Sequence, residues 1–144
     1  MTKLMTATFI LLTLVSCGQQ KLEQDKSKER INNVCDNFMK AFVEGKTEDA
    51  LELLKQNTVM KPSAIDSLKV TISEQKENIF PQFGKILSSE FIIERKVKDF
   101  IAKRFYIIKF SKFFLKVDFT LYNSGNGWTI TSFQYNEEAE ELFN

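Results

Sequence analysis

Apolar residues recur at spacings of three and four in the segment after residue 28, and this period predicts an amphipathic helix. The apolar stripe consists of Ile31, Val34, Cys35, Phe38, Met39, Phe42 and Val43. Gly45 ends this helix, because glycine readily adopts the left-handed conformation that follows a helix C-terminus. Apolar clusters at 50–54 and 65–72 have the same period and predict a second short helix and a third that runs to about Asn78.

From Lys85 onward the period of the apolar residues changes from about 3.6 to about 2, which is the period of a β-strand. Alternation is complete over 113–122, whereas 105–110 is apolar on both faces, as in a central strand covered on two sides. The Asn- and Gly-rich loop at 123–127 predicts a hairpin into a last strand over 128–135. The pattern therefore predicts an α+β fold, in which two to three N-terminal helices pack on a curved four-stranded antiparallel sheet.

The first residues form a separate segment, because Lys3 precedes an apolar run with the form of a signal peptide. This run is shorter than the roughly 20 residues that span a bilayer. Residues 14–17, Leu-Val-Ser-Cys, resemble the bacterial lipobox. The resemblance implies a signal peptide at 1–16 and a mature chain that begins at Cys17 with diacylglycerol and a further acyl chain attached. The alternative is a plain secretory signal in which Cys17 is incidental.

The residues after Cys17 bear on location and on domain boundaries. Gly18 stands where many lipoproteins of the inner membrane carry Asp, so the resemblance implies the outer membrane. An acidic cluster typical of surface export is missing there, which favours the periplasmic face. After the cysteine, residues 17–28 are polar apart from Leu22 and are expected to form a flexible tether. Residues 29–144 are expected to form one domain.

Composition and charge narrow the range of functions. Without residues 1–16 the chain loses one of its 20 basic residues, and the remaining 19 balance 19 acidic ones, so no attraction to nucleic acid is expected. The sequence has no histidine, which excludes His-activated nucleophiles and most zinc sites, and no metal or cofactor is expected. Cys35 falls in the apolar stripe and is expected to be a small buried hydrophobic residue rather than a reactive thiol.

The order of helices and then sheet is accompanied by two short motifs. They are Phe42-x-x-Gly45-Lys46-x-x-x-Ala50-x-x-Leu53-Leu54 near the start and Gly127-Trp128-x-Ile130 near the end. With these motifs, residues 31–136 are similar to the nuclear-transport-factor-2-like superfamily, a cystatin-like α+β cone. The resemblance implies the fold. Enzymes of that superfamily place Asp, His and Tyr inside the cone, and none of their catalytic motifs matches this chain, so the resemblance implies no reaction.

Arg95, Asp99 and Tyr106 are the candidates for lining a ligand pocket in the cone. Arg95 is in phase with three apolar residues of the first strand, which are Phe91, Ile93 and Val97. Its guanidinium would then point to the concave side and could bind an anion. Asp99 follows in the same phase, and Tyr106 would add a polar group. The alternative is that Arg95 reaches the sheet edge or pairs with an acidic residue.

The other face of the sheet is expected to be half solvated, with Lys116, Asp118, Thr120 and Tyr122 exposed, or to form a homodimer through the sheet. Taken together, the sequence predicts a lipid-anchored, non-catalytic binding or assembly module of the cell envelope. It would contact the membrane through the lipid on Cys17 and bind a small apolar ligand or an envelope protein. The alternative is a hydratase- or isomerase-like enzyme that uses Asp99 or Asp118 together with a tyrosine in the cone.

Overall fold

The computed structural model describes residues 15–143 of the chain. The helices come first and are α1 (Val15–Val43), α2 (Thr47–Gln56), α3 (Pro62–Asn78) and α4 (Phe80–Phe83). The strands follow as β1 (Ile86–Val97), β2 (Ile101–Phe110), β3 (Phe114–Asn123) and β4 (Trp128–Asn136), before a 3-10 turn at Glu140–Leu142. Consecutive strands pair antiparallel in the order β1-β2-β3-β4. The predicted α+β fold, with helices on a curved antiparallel sheet, is confirmed.

The apolar stripe of α1 packs against the sheet at the centre of the core. Cys35 and Phe38 are at most 1% exposed. The ring centroid of Phe38 lies 5.3 Å from that of Phe119 and 4.8 Å from that of Phe133. Ring contacts of this kind stabilise a fold by about 0.5–1.5 kcal/mol beyond the burial of area. Burial raises the pKa of the Cys35 thiol to about 12, so the thiol stays protonated at neutral pH, as expected of a small buried hydrophobic residue.

Residues 18–28 form part of α1 and do not form the predicted flexible tether. They are rich in Gln, Lys and Glu, which favour helix, and lengthening an existing helix adds a hydrogen bond per residue without a new nucleation cost. Tertiary contacts also hold them: the Ser27 hydroxyl accepts a hydrogen bond from the Trp128 backbone N–H at 2.8 Å. Residues 1–14 of the predicted signal peptide lie outside the described residues, and so does the side chain of Cys17. None of the helices within 15–143 is long and apolar enough to cross a membrane.

A bulge in β1 decides which side chains face the helices. The pairing of β1 with β2 shifts between Phe91 and Ile93, so that Ile92 is an extra residue. Phe91 pairs with Tyr106 on the inner face, which we define as the face packed against the helices. Ile93 pairs with Phe105 on the opposite, outer face. The prediction that Phe91, Ile93 and Val97 share one face is therefore wrong, because an extra residue reverses the alternation of side chains.

The outer face is buried at its centre. Phe105 is 2% exposed there and Tyr106 is 2% exposed on the inner face, which confirms β2 as a central strand covered on both sides. Lys116 and Asp118 are each only 1% exposed. The segment around Glu141 lies over this part of the sheet, since its carboxylate accepts a hydrogen bond from Lys116 Nζ. The expectation of a half-solvated outer face is thus wrong at Lys116 and Asp118, although Tyr122 is exposed as expected.

Candidate functional site

Five polar side chains meet on the inner face, at the end of the helix–sheet interface that is nearest to β1. We call them the inner polar cluster: Lys28, Asp36, Glu94, Arg104 and Tyr106. Arg104 lies at its centre and is 7% exposed. Its Nη1 donates to Glu94 Oε2 at 3.0 Å, its Nη2 to Asp36 Oδ1 at 3.1 Å and its Nε to Tyr106 Oη at 3.0 Å. A guanidinium can use its planar fork of donors in this way, so the cluster joins α1 to the first two strands.

Tyr106 is held in its protonated form by this environment. Burial raises the pKa of its phenol, and the hydrogen bond from Tyr106 Oη to Asp36 Oδ1, at 2.5 Å, raises it further. Because the phenol donates to Asp36 and accepts from Arg104, both of its hydrogen-bonding functions are used. A phenol with a raised pKa is a poor general base near neutral pH. We therefore assign Tyr106 a structural role, in which its phenol links Asp36 to Arg104.

Glu94 and Lys28 form the other half of the cluster. Lys28 Nζ donates to Glu94 Oε2 at 2.6 Å and to Asn32 Oδ1 at 2.6 Å. Burial disfavours the charged form of Glu94, but hydrogen bonds from Lys28 and Arg104 outweigh it and hold the pKa of Glu94 below its ordinary value. Burial lowers the pKa of Lys28, against the opposing effect of Glu94. The cluster contains two cations and two carboxylates in contact, as a buried ionic network requires.

The structure separates the three residues that the sequence singled out. Tyr106 lies in the inner polar cluster. Arg95 lies opposite Lys103 in the β1–β2 ladder and is on the outer face. Its guanidinium carbon is 5.8 Å from the centroid of the Phe105 ring. Asp99 is exposed in the turn between β1 and β2, and its backbone carbonyl accepts a hydrogen bond from Asn123. The prediction that Arg95 points to the concave side is wrong, because the bulge at Ile92 turns Glu94 inward in its place.

Sequence reasoning missed four members of the inner polar cluster, which are Lys28, Asp36, Glu94 and Arg104. A signal for Arg104 existed, because it alternates in phase with Tyr106 and with the apolar inner residue Ile108. Asp36 directly follows Cys35 of the apolar stripe, at a position where a short acid can reach the sheet. Nothing in the local pattern of β1 indicated that Glu94 would turn inward.

A second group of charges lies on the outer face and comprises Lys103, Lys116, Asp118 and Glu141. Lys116 Nζ donates to Glu141 Oε2 at 2.6 Å, and Lys103 Nζ lies 3.3 Å from Glu141 Oε1 and 3.6 Å from Asp118 Oδ2. Neither carboxylate oxygen of Asp118 has a hydrogen-bond partner among residues 15–143. Burial raises the pKa of Asp118, although the two lysines act in the opposite direction. Burial without a hydrogen-bond partner therefore disfavours the ionised form of Asp118.

Among the described residues, the side chains of α1 and of the sheet pack closely around Phe38. Phe38, Met39, Leu115 and Phe133 border a gap there that is too narrow to hold a water molecule. A more open groove of about 320 Å³ lies at the end of the layer near α4. Phe80, Phe83, Tyr135, Glu137 and Glu138 are among its lining residues. Among the described residues, no group of three or more Cys, Asp or Glu side chains could hold a metal ion.

The two edges of the sheet differ. Residues 57–59 cover part of β4, where Val59 N donates to Ile130 O at 3.0 Å and Ile130 N donates to Asn57 O at 3.1 Å. No strand within 15–143 lies beside the free edge of β1. Several large apolar side chains of this strand are exposed, namely Leu87 (63%), Phe91 (48%), Ile92 (43%), Ile93 (38%) and Val97 (58%). We call this strip the β1 edge surface.

The β1 edge surface is connected to the inner polar cluster through Phe91. The guanidinium carbon of Arg104 lies 4.3 Å from the centroid of the Phe91 ring, and the Phe91 and Tyr106 rings contact each other at 5.4 Å. A cation at this distance is attracted to the face of an aromatic ring. The cluster thus holds β1 in place behind its exposed side chains.

Comparison of the chain with known protein families, with curated proteins and with solved structures finds no match. The arrangement of helices on a four-stranded antiparallel sheet is compatible with a cone-like domain.

Proposed function

We propose that this chain is a lipid-anchored protein of the cell envelope that acts without catalysis, as an assembly module whose β1 edge surface binds another protein. The observation that carries the proposal is the exposure of five large apolar side chains along an edge strand. Exposed apolar strips of this kind are typical of interaction sites, and an unpaired strand edge can add a strand from a partner.

The anchor rests on the resemblance of residues 14–17 to a lipobox, which assigns acylation to Cys17. Two or three acyl chains hold a protein at a membrane stably, since each buried methylene contributes about 0.8 kcal/mol. Residues 18–27 of α1 then connect the lipid to the domain, and ten helical residues span about 15 Å. The proposed location is the outer membrane, on its periplasmic face. The α+β architecture supports the proposed kinship with the nuclear-transport-factor-2-like cone.

The geometry favours binding over catalysis in the cone. The hydratase- or isomerase-like alternative needs a carboxylate and a tyrosine around one cavity. Asp118 lies on the outer face and Asp99 in an exposed turn, so neither meets Tyr106 on the inner face. The carboxylate that does meet Tyr106 is that of Asp36, and it is also bound to Arg104. The close packing of α1 on the sheet around Phe38 also favours a protein partner over a small apolar ligand. We therefore place the binding surface on the outside of the domain.

Photo-crosslinking in intact cells tests this proposal. A photoreactive side chain replaces Val97 of the β1 edge surface, and in a matched control it replaces Val70 of α3, since both valines are 58% exposed. We expect a discrete protein–protein adduct from position 97 and none from position 70. Equal labelling at the two positions, or labelling at neither, would refute a role of the β1 edge surface in assembly.

A further inference from the structure

The bulge in β1 also changes which residues of the strand share a face of the sheet. Side chains of a regular strand alternate, so two residues an odd number of positions apart point to opposite faces. In β1 the extra residue Ile92 cancels this rule across the bulge. Glu90 pairs with Ile107 and Arg95 pairs with Lys103, so both lie on the outer face although they are an odd number of positions apart.

This property matters for pairing between two copies of the strand. Two identical edge strands can pair antiparallel about a two-fold axis. Residue i of the first copy then lies opposite residue j of the second, and residue j of the first lies opposite residue i of the second. Directly opposite residues point to the same face of a sheet. In β1, a residue before the bulge therefore matches a residue after it only when an odd number of positions separates them.

One register with matched faces sets Glu90 of each copy opposite Arg95 of the other. Its two-fold axis passes between Ile92 and Ile93, which bring exposed apolar side chains to the centre. Val97 then lies opposite Ser88, and no two like charges are opposite each other. The neighbouring register with matched faces places Glu90 opposite Ile93, so only the register above sets Glu90 opposite a cation. In that register Glu94 lies opposite Phe91, and its carboxylate stays bound to Lys28 and Arg104 of its own chain. Charge and face thus agree in one register.

We propose that the partner on β1 is a second copy of this chain, paired antiparallel about an axis between Ile92 and Ile93. The two sheets then form one continuous eight-stranded sheet, and the Glu90–Arg95 ion pair occurs twice. Glu90 and Lys109 already form an ion pair within one chain and are each 50% exposed, which leaves Glu90 able to accept a second cation. This inference rests on the proposed function, which itself requires only that the β1 edge surface bind some protein.

Disulfide crosslinking of the full chain in isolated membranes tests the register. Two singly substituted chains, Glu90→Cys and Arg95→Cys, are each expressed alone and are also co-expressed in the same cells. Directly opposite residues lie about 5 Å apart, within the range of a disulfide, whereas position 90 of one copy is roughly 16 Å from position 90 of the other. We expect a covalent dimer only when both variants are present. The buried thiol of Cys35 does not interfere, and the unmodified chain serves as the background control.

A charge exchange tests the ion pair independently of cysteine chemistry. Glu90→Arg alone and Arg95→Glu alone each set like charges opposite each other, and each should raise the dissociation constant of the detergent-solubilised dimer about tenfold, which corresponds to ~1.4 kcal/mol. The double exchange should restore it. Lys112→Glu, a reversal in the turn before β3, should leave the dimer unchanged.

The outcomes distinguish the inference from the proposed function. Dimers that form equally well with either cysteine variant alone would overturn the register. A chain that stays monomeric, but whose position 97 still forms an adduct with a different protein, would overturn the second copy and leave the proposed function standing. A monomeric chain with no adduct at position 97 would overturn both.

Discussion

Replacement of Asp118 by asparagine is expected to raise the free energy of unfolding, relative to the unmodified chain, by more at neutral pH than at acidic pH. Asp118 is 1% exposed on the outer face, and neither of its carboxylate oxygens has a hydrogen-bond partner among the described residues. Lys103 Nζ, at 3.6 Å from Oδ2, is close enough to attract the charge but too distant for a good hydrogen bond. The substitution removes this charge with almost no change in side-chain volume.

The sign follows from the raised pKa of Asp118. Burial raises this pKa above the unfolded value, so the folded state binds the proton more tightly than the unfolded chain does. The resulting stabilisation is fully present below the ordinary aspartate pKa of about 3.9 and is lost as pH rises through the raised pKa. The asparagine variant has no proton to lose at this position, so the contribution of position 118 to its stability does not change over the same range.

The magnitude is limited by the lysines around the carboxylate. A buried polar group without a partner costs about 1–3 kcal/mol, and the cost is higher for a charge. Attraction to Lys103 and Lys116 offsets part of this cost. We therefore expect the free energy of unfolding of Asp118→Asn, relative to the unmodified chain, to rise by ~1–2 kcal/mol between about pH 3 and about pH 7.

Urea unfolding at both pH values measures this difference. The sequence has one tryptophan, and since Trp128 is 6% exposed its fluorescence should report loss of the core. Comparing the two pH values cancels any constant cost of the buried amide. Asp99→Asn, in an exposed turn, is the matched control and should change the free energy by less than about 0.5 kcal/mol at either pH. A difference for Asp118→Asn that does not depend on pH, or that falls as pH rises, would refute the reasoning.

Three further predictions concern other parts of the molecule. Tyr106→Phe removes the phenol that connects two charged side chains and should lower the free energy of unfolding by about 1–3 kcal/mol, whereas Tyr122→Phe, at an exposed phenol, should be close to neutral in the same urea assay. Glu94 has a lowered pKa, so its contribution to stability is present at neutral pH and lost as pH falls; Glu94→Gln should therefore be most destabilising near neutral pH, and less so when unfolding is measured in acid. Cys17→Ser should release the protein from membranes in cell fractionation. Cys35→Ala should leave the location unchanged and lower the free energy of unfolding slightly, because it leaves a small buried cavity.

Each of these has a result that would count against it. Equal effects of the two tyrosine substitutions would mean that the inner polar cluster contributes nothing through its phenol. An effect of Glu94→Gln that grows on acidification would contradict the role of Glu94 as a stabilising carboxylate. Sedimentation of the Cys17→Ser chain with membranes would contradict the lipid anchor.

The elements of the fold were predictable because the hydrophobic pattern is strong and local. The stripe from Ile31 to Val43 repeats with the period of a helix, and its members are buried as the period requires. The alternation in β3 likewise placed Leu115, Val117, Phe119 and Leu121 on one buried face. The burial of such a face can be predicted without knowing which element packs against it, because an apolar face must be covered by some element.

The polar tether could not be predicted correctly, because its order comes from distant residues. Residues 18–28 have little apolar surface to bury, and composition alone suggested a flexible chain. Lys28 meets Glu94 of β1, and Ser27 meets Trp128 of β4. These contacts exist only once the sheet has formed, and helix propagation from the stripe then costs little.

By itself the sequence determined the α+β class, the helix and strand periods, the buried Cys35 and the lipobox-like segment, because each depends on residues close together in the chain. Tertiary structure alone decided the site. Pairing with β2 placed the extra residue at Ile92, and this turned Arg95 outward and Glu94 inward to meet Arg104. A bulge is a property of two paired strands, so no period within one strand could show which of its charged side chains would face the helices.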